Sequence, residues 1–86
     1  MTKLADVITE YHRGIDAYEA SETATEADTY QAAHDLIDQW TAPAADEADI
    51  HAVLLLLKKD GAGKHSSIAE AALNAALAYF DKKAGA

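Results

Sequence analysis

The stretch most suggestive of chemistry is KKDGAGKHSS, residues 58–67, which carries glycines, lysines and hydroxyls in an order close to that of a phosphate-binding loop. A P-loop has the pattern G-x-x-x-x-G-K-[ST] between a strand and a helix. Here Lys58 occupies the first glycine position and His65 the hydroxyl position, and a leucine-rich helical segment precedes the stretch. We therefore interpret it as a glycine helix end, a short link and a serine helix start, and we predict no nucleotide site.

The four histidines offer a second kind of chemistry, metal binding. Three of them pair with a carboxylate four residues away, a spacing that a helix places on one side: His12/Asp16, His34/Asp38 and Glu47/His51. None of these pairs belongs to the Glu-x-x-His pattern of di-iron bundles, and such pairs also arise on solvated helix faces rich in acid. We predict neither a metal site nor any other cofactor.

The hydroxyl groups give little support for nucleophilic catalysis. The chain has no cysteine, and its serines, Ser21, Ser66 and Ser67, do not lie in a nucleophile elbow. The carboxylates are abundant, but nothing marks two of them as held in different environments. We therefore predict that the protein is not an enzyme.

The composition predicts one small helical domain over residues 1–86. Alanine accounts for 21 residues of this chain, and it favours helix while adding little buried area. Such a chain is hard to stabilise as a monomer, so we expect self-association or an obligate partner. No signal peptide is visible, and the longest apolar run, Ala52 to Leu57, is too short to span a bilayer. A cytoplasmic protein without a membrane partner is expected.

The charge is unevenly distributed along the chain. Residues 1–49 hold 12 acids against Lys3 and Arg13, a net charge of −10, whereas residues 50–86 carry +2. A nucleic-acid-binding protein needs a basic surface to replace the counterions of the phosphates. Direct binding to nucleic acid is therefore not expected.

The elements that position these residues are helices. Apolar residues recur at three- and four-residue steps from Leu4 to Tyr18, and a second series ending at Trp40 continues in phase. This favours one helix over residues 2–40. The alternative is a break near Thr23, which forms a capping box with Glu26.

Two further helices are predicted after Pro43. The first runs from about Glu47 to Lys59, with Asp46 as its N-cap supported by Asp49, and its four consecutive leucines predict the most buried segment of the chain. The second starts at Ser66 or Ser67. Its predicted apolar face consists of Ile68, Ala72, Leu73, Ala76, Tyr79 and Phe80.

The expected fold is all-α, with a long N-terminal helix packed by two shorter antiparallel helices. A break near Thr23 would instead give a four-helix up-down bundle.

The candidate binding residues are acidic. On a continuous helix six of them fall within about 120° of arc, opposite the apolar stripe: Asp6, Glu10, Asp16, Asp28, Asp35 and Asp38. One interpretation is a solvated face that keeps an alanine-rich protein in solution. The other is a surface that attracts a basic protein partner, including the nucleic-acid groove of another protein.

The segments DVITEYHRGIDAYEA, DLIDQWTAPAADEADIHAVLLLL and AEAALNAALAYF resemble those of short uncharacterised all-helical proteins of alphaproteobacteria and their phages and prophages. That resemblance covers most of the chain and carries no functional residues with it. It implies a phage or mobile-element context, in which the protein would bind and inhibit a host protein in the host cytoplasm. The alternative hypothesis is a homo-oligomeric structural protein without catalytic activity.

Overall fold

The computed structural model describes residues 3–59 and 67–84, and all regular secondary structure in those two ranges is helical. The predicted all-α fold with a long N-terminal helix is confirmed. The helices are α1 (Leu4–Ala20), α2 (Glu26–Thr29), α3 (Gln31–Asp38), α4 (Glu47–Lys59) and α5 (Ser67–Ala84).

The prediction of one helix over residues 2–40 is wrong, because the chain leaves the helix at Ser21. The Ser21 hydroxyl oxygen accepts hydrogen bonds from the amides of Thr23 and Ala24, at 3.2 and 3.1 Å. Hydroxyl side chains that bind nearby amides in this way compete with the helical hydrogen-bond ladder. The break near Thr23 that the alternative prediction proposed is therefore present.

The next helix is capped two residues later than predicted. The Thr25 hydroxyl oxygen accepts a hydrogen bond from the Asp28 amide at 3.2 Å, and Thr25 is extended, as an N-cap residue should be. Thr23 lies within the turn, so the capping box of Thr23 and Glu26 is not formed.

After the break, the chain folds back on α1 as a helical hairpin. Tyr18 packs edge-on against Tyr30, with ring centroids 5.5 Å apart, and Tyr11 lies 6.1 Å from the ring of His34. Tyr18, near the end of α1, thus contacts Tyr30 at the start of the returning segment, whereas Tyr11 contacts His34 further along. Helices α1 and α3 are therefore antiparallel.

Gly14 allows this close return. A Cβ atom at Gly14 would lie 2.6 Å from the Thr29 carbonyl oxygen and 2.7 Å from the Tyr30 Cα. Such distances exclude any side chain unless the backbones separate. The packing of α1 therefore requires glycine at position 14, although glycine in the interior of a helix is normally unfavourable.

Helix α4 runs parallel to α1. Lys3 and Asp46, at the start of each helix, form an ion pair, and Glu19 and Lys59 line one cavity near the other end. Helix α5 is antiparallel to α4, because Ala45 before α4 shares a cavity with the last turn of α5.

Each of the four longer helices packs on two of the other three longer helices. In the described ranges, α1 and α5 each contact α3 and α4, but neither contacts the other. Directions alternate along the chain, as in an up-down bundle, but the connection from α3 to α4 crosses the bundle diagonally. The amide of Ala44 in that connection donates to the Ala75 carbonyl oxygen at 3.0 Å.

The core between these helices is small. It contains eight larger side chains and four alanines, which are Leu4, Val7, Ile8, Tyr11, Ile37, Val53, Leu56 and Ile68 with Ala52, Ala72, Ala75 and Ala76. Helix α4 has the predicted bounds, but its leucines are not the most buried segment, since Leu54 is 59% exposed and Leu55 39%. Only Leu56 of the four is fully buried.

Candidate functional site

The beginnings of α1 and α4 meet at the buried carboxylate of Asp49. Only 1% of this residue is exposed, and its two oxygens accept hydrogen bonds from the amides of Ala5 at 2.9 Å and Ala45 at 2.7 Å. The Lys3 side chain, at the N-cap of α1, makes no capping hydrogen bond. Asp49 therefore caps a helix that lies 44 residues away in the chain.

Asp46 has the predicted N-cap role in α4. Its carboxylate accepts the Asp49 amide at 3.1 Å, and it also pairs with the Lys3 ammonium. The hydrogen bond from Lys3, followed by that from the Asp49 amide, lowers the pKa of Asp46. The same pairing raises the pKa of Lys3. Both side chains are partly exposed, so this ion pair positions the helix ends more than it stabilises them.

The six acidic residues predicted as a binding surface are all exposed. The break at Ser21 distributes them over three helices instead of one helical face: Asp6, Glu10 and Asp16 on α1, Asp28 on α2, and Asp35 and Asp38 on α3. The predicted common arc of about 120° therefore does not extend beyond Ala20. Within each helix the side chains still point away from the core.

Two of the six carboxylates have partners. Glu10 pairs with Arg13 at 2.6 Å on the surface of α1. Asp35 accepts hydrogen bonds from the Gln31 amide and the His34 ring, and these two contacts, in that order, lower the pKa of Asp35. Within the described ranges, the carboxylates of Asp6, Asp16, Asp28 and Asp38 have neither an ion pair nor a hydrogen bond, and their oxygens are open to a ligand.

The predicted histidine pairs do not assemble into a site. The Nδ1 atom of His34 lies 3.3 Å from the Oδ1 atom of Asp35, its neighbour in sequence, and His34 does not pair with Asp38. Across residues 3–59 and 67–84, no group of three or more histidine and carboxylate side chains is placed to hold a metal ion.

The lysine- and glycine-rich stretch lies mostly outside the described residues. The predicted helix end at Gly61 and the cap at Ser66 both fall there. The described helices on either side are α4, which extends to Lys59, and α5, which begins at Ser67.

Two surface cavities lie between the helices. One, of about 290 Å³, is lined by groups of both charges, which are Tyr11, His12, Asp16, Glu19 and Lys59 with Ile15. The other, of about 440 Å³, lies between the connection at Pro43 to Ala45 and the last turns of α5, beside Tyr79, Lys82 and Lys83. No helix of the described residues is long and apolar enough to cross a membrane.

The feature that sequence reasoning missed is the orientation of α5. Of its predicted apolar face, Ile68, Ala72 and Ala76 are buried, whereas Leu73 is 42% exposed and Phe80 53%. Leu77, which was not included in that face, is 52% exposed. Three of the large side chains of α5, those of Leu73, Leu77 and Phe80, therefore lie on the surface, whereas Ile68 lies in the core.

Comparison with protein-family models, curated proteins and solved structures finds no match to this chain. The resemblance to short helical proteins of alphaproteobacteria and their phages stays a prediction.

Proposed function

We propose that the protein is a binding module that recognises a basic protein surface through four exposed carboxylates, those of Asp6, Asp16, Asp28 and Asp38. The observation that carries the proposal is the set of four exposed carboxylates, at Asp6, Asp16, Asp28 and Asp38, that form neither a hydrogen bond nor an ion pair within the described residues. A chain with a net charge of −8 attracts cationic partners over a distance of about a Debye length.

The partner would be a protein whose own site is basic, such as a nucleic-acid-binding groove. Nucleic acid itself has the wrong charge for this surface. The resemblance noted from the sequence supports a mobile-element context, in which occupying such a groove would inhibit a host protein. Electrostatic recognition of this kind contributes mainly to the association rate and to specificity.

The test is affinity capture from a bacterial lysate with the wild-type protein, followed by identification of the retained proteins and a binding measurement with each purified candidate. The site variant carries Asp6→Asn, Asp16→Asn, Asp28→Asn and Asp38→Asn. We expect it to bind the basic partner at least tenfold more weakly, because each lost charge contact weakens steering and pairing.

A matched control variant removes the same number of charges from other exposed carboxylates, with Glu19→Gln, Glu22→Gln, Glu26→Gln and Glu47→Gln. It should retain most of the affinity. The proposal fails if the wild type retains no basic protein, or if the two variants lose affinity equally, since the second result means that net charge alone attracts the partner.

A further inference from the structure

The larger of the two surface cavities, of about 440 Å³, has two walls of different chemistry. The connection between α3 and α4 forms one of them, which we call the connection wall (Pro43 to Ala45). The end of α5 forms the other, which we call the α5 wall (Tyr79, Lys82 and Lys83). The volume lies within the roughly 300–1,000 Å³ of small-molecule sites. An apolar wall and a basic wall thus share one cavity in a chain whose net charge is −8.

The connection wall has no backbone N–H group left for a ligand. Pro43 carries none. The amide of Ala44 donates to the Ala75 carbonyl oxygen at 3.0 Å, and the amide of Ala45 donates to the Asp49 carboxylate at 2.7 Å. This wall therefore provides apolar contact, and a negative charge on a ligand has to be bound by the opposite wall.

The α5 wall supplies two positive charges. Within residues 3–59 and 67–84, neither Lys82 nor Lys83 forms an ion pair or a hydrogen bond through its side chain, and the Lys83 ammonium lies 5.8 Å from the centroid of the Tyr79 ring. Asp81, the acid beside them in the sequence, does not line the cavity. Lysines in the last turn of a helix are favoured by its dipole, but that preference does not require both to lie beside one cavity.

We propose that this cavity binds a small organic monoanion with a planar apolar body, of the class of aromatic carboxylates. The carboxylate of the ligand pairs with the ammonium groups of Lys82 and Lys83, and its ring packs between Tyr79 and the connection wall. A phosphate dianion fits less well, because it has no apolar body for the connection wall and the negative chain repels its second charge. The cavity shares no residue with the acidic surface of the proposed function.

The closing experiment uses naphthoate as the probe, with naphthamide and acetate as reference ligands. Binding to the wild-type protein is followed by two-dimensional NMR of the isotope-labelled chain. We expect one saturable site with a dissociation constant of about 10–500 µM, and the largest shifts at the amides of Ala44, Ala45 and residues 79–83. Naphthamide lacks the charge and acetate lacks the apolar body, so each should bind at least tenfold more weakly.

The variant Lys82→Gln with Lys83→Gln should raise the dissociation constant of naphthoate at least tenfold. The matched control, Lys58→Gln with Lys59→Gln, removes two exposed lysines from the end of α4 and should change it less than twofold. Tyr79→Leu, which keeps an apolar side chain but removes the ring, should weaken naphthoate and leave acetate unchanged. The spectrum of each free variant establishes that it keeps the wild-type fold.

Four results overturn the inference. The first is no saturable binding of naphthoate by the wild type up to about 5 mM. The second is equal affinity for naphthoate and naphthamide, which would mean that the lysines bind no charge. The third is equal loss in the two lysine variants, which would mean that net charge alone matters. The fourth is that the largest shifts lie away from the cavity. None of them bears on the capture experiment with the Asp6, Asp16, Asp28 and Asp38 variant.

Discussion

Asp49 illustrates at the scale of one residue how a buried charge is accommodated in this fold. A carboxylate that is 1% exposed needs compensating hydrogen bonds, and Asp49 obtains them from two backbone amides at the positive ends of α1 and α4. Its own amide is bound by Asp46, which in turn pairs with Lys3. The junction thus joins two helix starts through one acidic side chain.

We predict that Asp49→Asn lowers the free energy of unfolding by about 1–3 kcal/mol. Asparagine has only one acceptor oxygen, so either the Ala5 or the Ala45 amide would face the side-chain NH₂ group without a partner. Urea unfolding followed by circular dichroism measures the change. Glu47→Gln, on the exposed side of the same helical turn, is the control and should stay within about 0.5 kcal/mol of the wild type. An equal effect of the two substitutions would contradict the role assigned to Asp49.

At the scale of the elements, the contact between α1 and α3 depends on the absence of a side chain at Gly14. The two helices approach so closely that the Thr29 carbonyl and the Tyr30 backbone occupy the space of a side chain. Tyr11 and Tyr18 both make edge-on contacts with the Tyr30 ring, with ring centroids 6.0 and 5.5 Å away. Partial burial, and then the charge of Glu26, raise the pKa of Tyr30.

We predict that Gly14→Ala destabilises the protein, although alanine is the better helix former by about 1 kcal/mol. The added methyl group meets backbone atoms, which cannot rotate away, and overpacking of this kind costs about 1–3 kcal/mol. Thermal unfolding of Gly14→Ala and of Ala17→Gly makes the comparison, because Ala17 is exposed on the same helix and reports propensity alone. A melting temperature above that of the wild type for Gly14→Ala would show that the helices separate easily.

At the scale of the whole molecule, self-repulsion dominates the electrostatics. The net charge is −8, and the ion pairs between lysine or arginine and a carboxylate within the described ranges are Lys3–Asp46 and Glu10–Arg13. The small core, with four alanines among its twelve buried members, leaves little free energy to oppose that repulsion. Both features limit the stability of the isolated chain.

We predict that the melting temperature rises when sodium chloride is increased from about 20 mM to about 300 mM, because salt screens repulsion between the carboxylates. The variant neutralised at Asp6, Asp16, Asp28 and Asp38 has four fewer negative charges and should respond less. Differential scanning calorimetry provides the measurement. A melting temperature that falls with salt would mean that the surface ion pairs outweigh the repulsion.

Much of the helical structure was predictable from short-range patterns. The bounds of α4, the N-cap at Asp46, the beginning of α5 at Ser67 and the outward direction of the six acidic residues follow from periodicity and capping within about four residues. The break at Ser21 was harder to predict. The continuous phase of the apolar residues favours one helix, whereas the local hydroxyl groups favour a turn. The hydrogen bonds of the Ser21 hydroxyl form, and the helix ends there.

Other features depend on contacts between distant parts of the chain. The amide of Ala5 meets Asp49 across 44 residues, the Gly14 backbone meets Tyr30 after the chain reverses, and the rotation of α5 places alanines inward and leucines outward. An amphipathic pattern specifies which residues are apolar, but a helix as rich in alanine as α5 can satisfy it in more than one rotation. The packing of α3 and α4 against the small side chains selects one rotation, and it leaves Leu73, Leu77 and Phe80 exposed.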